Sequence, residues 1–117
     1  MSKAKASFKD PNSGQIVGTL VEHCHHDETA TATVRLTSPQ TISGTERLEV
    51  YSTLKDEPII SASPDGTGQR TIHEFEGTSS LGCLPRGTGV SLVRTPGGKL
   101  GTLLEVLGNG TIEPEPG

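Results

Sequence analysis

Aromatic residues are nearly missing from this chain of 117 residues. Phenylalanine, tyrosine and tryptophan together make up 3% of it, and tryptophan does not occur at all. The three aromatic side chains are Phe8, Tyr51 and Phe75. Proteins that bind single-stranded nucleic acids without sequence preference stack successive bases on aromatic rings. The composition therefore argues against a base-stacking surface.

Positive charge is also scarce. Ten lysines and arginines stand against 14 acidic residues, which gives a formal net charge of −4. Binding to nucleic acids requires a concentrated basic surface that neutralises several phosphates. The basic residues gather only near the start of the chain, at Lys3, Lys5 and Lys9. We therefore expect no nucleic-acid partner.

The chain has no long hydrophobic run. A membrane-spanning helix needs about 20 consecutive apolar residues, and a secretory signal needs an apolar central region. The first residues, MSKAKASFK, have no such region. We expect no membrane partner and synthesis in the cytoplasm without a signal peptide, with the virion as a candidate destination.

Cysteine is limited to Cys24 and Cys83, which lie 59 positions apart. An even number of cysteines allows a disulfide. Synthesis in a reducing cytosol favours free thiols instead. The sequence therefore predicts free thiols, with a disulfide as the alternative.

What the chain does contain is the alternation of apolar and polar residues that is typical of half-buried β-strands. The clearest case is residues 30–37, where Ala30, Ala32 and Val34 share one face and threonines occupy the other. Fifteen glycines and eight prolines supply turn residues between such segments. The pattern predicts strands separated by short turns.

Three hairpins follow from this pattern. Residues 16–23 and 30–37 flank the polar stretch 25–28, residues 59–63 and 70–76 flank 64–68, and residues 90–94 and 100–107 flank 95–99.

Shorter segments give three further predictions. Residues 47–54 are expected to form a strand, with a helix from Thr45 as the alternative. A short strand is expected near Phe8, and Asn109-Gly110 favours a turn.

The predicted fold class is all-β: a single-domain antiparallel β-sandwich or small barrel of about seven to eight strands with polar N- and C-terminal tails. Residues 1–9 are expected to form a basic N-terminal arm, 10–112 the β domain, and 113–117 an acidic, proline-rich C-terminal tail. The candidate interaction residues lie in these two tails: Lys3, Lys5, Lys9, Glu113 and Glu115.

One cluster has the residue types of a metal site. His23, Cys24, His25 and His26 lie next to each other between acidic residues. Imidazole and thiolate groups are ligands for zinc and copper, and His23 and His25 would point to the same face of a strand. A stable site also requires a distant ligand, for which His73, Glu74, Glu76 and Cys83 are candidates.

No catalytic motif is present: there is no GxSxG elbow, no phosphate-binding glycine loop and no HExxH. We therefore expect a non-enzymatic structural or interaction protein without a cofactor. The most concrete form is a small accessory subunit of a larger assembly, such as a capsid-decorating or virion-associated protein, with protein partners and self-association. The alternative is a metal-binding module that holds zinc or copper on the histidine-rich hairpin 22–28.

Overall fold

The computed structural model describes residues 3–64, 66, 68–79, 81–95 and 105–115, and these form an all-β fold as predicted. Across the described ranges, no helix is long and apolar enough to cross a membrane. The strands are β1 (Lys3–Lys9), β2 (Ile16–Cys24), β3 (Ala30–Ser43), β4 (Arg47–Ser52), β5 (Lys55–Ala62), β6 (Gln69–Ser79), β7 (Gly89–Thr95), β8 (Glu105–Thr111) and β9 (Glu113–Glu115).

A single antiparallel sheet contains all of these strands. Its order is β5-β4-β7-β8-β1-β2-β3-β6, and β9 pairs with β1 beside this path. The two end strands lie side by side, so that the sheet nearly closes into a barrel. At this seam the Arg70 guanidinium donates a hydrogen bond to the Ser63 carbonyl oxygen over 3.1 Å. Gly77 lies so close to Ile60 that a Cβ atom on the glycine would be 2.9 Å from the isoleucine Cγ2.

The inward side chains fill the barrel with a mostly aliphatic core. Phe8, Leu20, Val34, Leu48 and Leu92 have no exposed surface. The alternation predicted for residues 30–37 is confirmed, because Ala30, Ala32 and Val34 are buried while the threonines between them are half-exposed. Residues 47–52 form strand β4, so the prediction of a strand in this region is confirmed and the helix alternative is wrong.

Two of the three predicted hairpins are confirmed. Strands β2 and β3 pair in register from Gly18–Leu36 to Cys24–Ala30, and β7 pairs with β8. The loop predicted at 95–99 lies mostly outside the described residues. The hairpin predicted around 64–68 is wrong, because β5 pairs with β4 across a two-residue turn while β6 pairs with β3. Because the connection between β4 and β5 is short, these two strands are close in sequence and pair readily. Strand β3 is long enough to pair with β6 in both of its halves.

The first and last of the described strands, β1 and β9, pair with each other. Residues 3–9 of the predicted basic arm form β1, in which Ala4, Ala6 and Phe8 are buried and the lysines alternate with them. Strand β1 pairs along its length with β2 and, on its other side, with β9 at Lys3–Glu115 and Lys5–Glu113. The period of two in this segment explains why it joins the sheet despite its charge.

Asn109-Gly110 does not form the predicted turn, because both residues lie within β8 opposite Ser91 and Val90. The Asn109 side chain accepts a hydrogen bond from the Ser91 hydroxyl over 2.6 Å. Gly110 serves a packing role, since a Cβ atom at this position would overlap the carbonyl oxygen of Ser7 on β1. Glycine is therefore required here by the close approach of two backbones.

Candidate functional site

Cys24 and Cys83 form a disulfide, so the prediction of free thiols is wrong. The fold explains the pairing: Cys24 is opposite Ala30 on β3, and Ala30 is opposite Ser79 at the end of β6. The chain that leaves β6 therefore passes the end of β2, and the two Cα atoms lie 5.3 Å apart. Cys24 is also excluded as the predicted thiolate ligand, because its sulfur is bonded to the other cysteine.

The three histidines of the hairpin are not brought together around one point. His23 lies in β2 between Lys3 and Thr31, the Nε2 atom of His25 is hydrogen-bonded to the Thr31 hydroxyl over 2.7 Å, and His26 is exposed in the turn. Within the part of the chain that the structure describes, no three His, Cys, Asp or Glu side chains are placed to hold a metal ion.

The turn of this hairpin is instead organised by Asp27. Its carboxylate accepts a hydrogen bond of 2.6 Å from the Thr29 hydroxyl and one of 3.1 Å from the Thr29 amide. These two bonds hold the pKa of Asp27 below its ordinary value. Glu28 adopts a left-handed conformation with φ of 68°, which lets the chain reverse between β2 and β3. The polar residues here thus serve turn formation.

Residues 81–88, which we call the plug loop, cover the core where β2 ends. Leu84 is buried, and Leu81 and Cys83 pack against the core from the same loop. Two backbone hydrogen bonds of 2.9 Å, Gly87 to Ile112 and Ile112 to Thr88, join the end of the loop to the chain between β8 and β9. The disulfide holds its other end.

Beneath the plug loop lies Glu22, a carboxylate with no exposed surface. One of its oxygens, Oε1, accepts a hydrogen bond from the Leu84 amide over 3.0 Å. The other, Oε2, has no hydrogen-bond partner among the described residues. Burial raises the pKa of Glu22 above its ordinary value of 4.5, and the bond from Leu84 opposes this shift only in part.

Replacing Glu22 by glutamine should stabilise the protein at alkaline pH. Because the pKa of Glu22 is higher in the folded state, the wild-type protein loses stability as the pH rises from 4.5 through the folded pKa. Glutamine keeps the carbonyl acceptor and removes the buried charge. We expect Glu22→Gln to be more stable at pH 8 by about 1–2 kcal/mol, and as stable as wild type at pH 4. Urea unfolding of both proteins at both pH values measures this difference in stability. Equal stability of the variant and the wild type at pH 8 would contradict the prediction.

A groove of about 770 Å³ runs over the outer surface of β1. Lys5 and Lys9 of β1 line it together with Ile16 and Val21 of β2, and its opposite wall is Asn109, Thr111 and Glu113. At β8 the groove is bordered by Gly110, whose backbone lies close against that of Ser7. Ile16 remains 47% exposed, which is high for a side chain of this size.

Three of the five predicted interaction residues therefore meet at this groove: Lys5, Lys9 and Glu113. Lys3 and Glu115 are register partners on β1 and β9, two residues along from the pair Lys5 and Glu113. The sequence predicted these residues on two separate tails. It missed the apolar member, Ile16, whose exposure depends on the irregular pairing between Phe8 and Lys9.

No protein-family model matches this chain, and no curated protein or solved structure is significantly similar to it. The function is therefore argued from its own surfaces.

Proposed function

We propose that this chain is a non-enzymatic structural protein that assembles with copies of itself through the groove over β1. The observation that carries the proposal is the groove itself, which combines an exposed isoleucine with lysine and glutamate side chains. An apolar centre within a polar rim is the usual arrangement of surfaces that bind other proteins.

The charges of the groove suit a symmetric pair. Lys5 faces Glu113, and Lys9 lies four residues further along β1. The spacing along a strand places Lys9 about 13 Å from that position. A two-fold axis near Ser7 would place the Lys9 of each copy against the Glu113 of the other, because an isologous interface repeats every contact twice. Ile16 of β2 is the register partner of Lys9, and this apolar side chain would be covered in both copies.

A small β-domain that associates in this way fits an accessory subunit of a larger particle, such as a capsid-decorating or virion-associated protein. The support for this more specific role is the small single-domain fold, in which the strands β1 and β9 pair within one sheet, together with the groove. The assignment of a particular assembly rests on the analogy of size and architecture.

Sedimentation velocity tests the proposal with one variant and a matched control. Ile16→Asp places a charge on the apolar part of the proposed contact, and we expect it to convert a wild-type dimer into a monomer. Leu54→Asp makes a similar change at a leucine that is 55% exposed in the β4–β5 turn, and it should leave the dimer intact. Equal sedimentation of all three proteins would contradict the proposal.

A further inference from the structure

The plug loop is attached to β2 at two adjacent points. Cys83 is bonded to Cys24 through the disulfide, and the next residue, Leu84, donates its amide hydrogen to Glu22. Glu22 and Cys24 are two residues apart and so lie on the same side of β2. A movement that takes Cys83 away from β2 therefore also takes away the one hydrogen-bond donor that the structure shows for this carboxylate.

Among the described residues, the strand partners of Glu22 carry no charge that would compensate its burial. Its register partners on the two neighbouring strands are alanines, and the next strand contributes a glycine in the same row. Among the described residues, four lie next to Glu22 on β1, β3, β6 and the plug loop, and none of them has a titratable side chain. They are Ala4, Ala32, Gly77 and Leu84. Beneath the closed loop, one oxygen of this carboxylate thus has no hydrogen-bond partner in the part of the chain that the structure describes.

We propose that the Cys24–Cys83 disulfide is a reversible redox site, and that its reduction by a dithiol opens the plug loop and exposes Glu22 to water. Both cysteines are half-buried, and the proposed exchange begins when a thiolate of the dithiol attacks one of their sulfur atoms. In the exchange the protein S–S bond breaks and an S–S bond forms in the dithiol. The two hydrogens of the dithiol end on Cys24 and Cys83. Opening releases a further proton wherever Glu22 is protonated in the closed protein and ionised in water.

This proton links the redox equilibrium to pH. Exchange between a disulfide and a dithiol takes up no net proton while all thiols are protonated. We expect the equilibrium constant for reduction of the wild-type protein to rise by up to tenfold per pH unit between the ordinary and the raised pKa of Glu22. In Glu22→Gln it should stay constant, because no group then releases a proton on opening.

The measurement is equilibration with a dithiol buffer from pH 5 to pH 7, followed by alkylation and mass spectrometry of the intact protein. Glu49→Gln is the matched control, since Glu49 is also buried but accepts its hydrogen bond from Tyr51 on β4. In this control variant, the equilibrium constant for reduction should depend on pH as it does in the wild type. The proposal is overturned if the equilibrium constant for reduction depends on pH equally in the wild type and in Glu22→Gln. It is also overturned if the wild-type protein stays reduced under oxidising conditions.

Hydrogen exchange tests the opening separately. The Leu84 amide should be protected in the oxidised protein and should exchange at least a hundredfold faster after reduction, whereas the Leu20 amide in the centre of the sheet should stay protected in both states. Continued protection of Leu84 after reduction would show that the loop stays closed. Loss of protection at Leu20 as well would show global unfolding, and either result overturns the local opening.

Discussion

Replacement of both cysteines by alanine should lower the free energy of unfolding by about 4 kcal/mol. Cys24 and Cys83 close a loop with a sequence separation of 59 residues, and constraining a loop of this length in the unfolded chain stabilises the folded state by roughly that amount. The plug loop would also lose its covalent attachment to β2. Urea unfolding of the double variant and of the oxidised wild type gives the difference directly.

The reduced wild-type protein is the control for this variant. It lacks the same covalent bond, so its midpoint in urea should lie close to that of the double variant. Because many domains have total stabilities of only about 5–15 kcal/mol, a change of this size should be unmistakable. A double variant that unfolds at the same urea concentration as the oxidised wild type would show that the disulfide does not tie the fold together.

Replacement of Gly110 by alanine should destabilise the protein by about 3 kcal/mol, because overpacking against backbone atoms forces strands apart. The added methyl group would overlap the Ser7 carbonyl oxygen, where β8 meets β1. Strand β1 would have to move away from β8, which also deforms the groove. Thermal unfolding followed by circular dichroism measures the loss.

Gly68→Ala is the matched control for this substitution. Nothing lies within 4 Å of the position that a Cβ atom would take at Gly68, and its φ angle is not in the left-handed region. We expect its stability to stay within about 0.5 kcal/mol of wild type. Equal stability of the two alanine variants would contradict the close contact between the backbones of β8 and β1 at Gly110.

The fold class could be predicted because alternation is a local property of the chain. The segment Ala30 to Val34 shows the inward and outward residues directly, and the structure buries the former. The pairing of β5 and β6 could not be predicted in the same way. The turn-rich stretch 64–68 is compatible with a hairpin, but strand pairing depends on the competing partners β4 and β3, which lie elsewhere in the sequence.

The candidate sites were predicted less well, for two physical reasons. The thiol prediction relied on the redox state of a compartment, whereas the disulfide follows from the proximity of two chain segments in the folded sheet. In the sequence, Glu22 is distinguished only by its position next to the histidines of residues 23–26. Its burial depends on the alanines of two other strands and on a loop 62 residues away. Such long-range contacts leave no periodic pattern around the residue itself.

The central claim, self-association through the groove over β1, is tested most directly by a charge exchange followed by native mass spectrometry. Lys9→Glu alone and Glu113→Lys alone should each give monomers, because each places like charges opposite one another in the proposed pair. The double variant Lys9→Glu, Glu113→Lys restores opposite charges and should form the same dimer that we expect for wild type. A wild-type protein that is monomeric, or a double variant that stays monomeric while wild type forms dimers, would contradict the account.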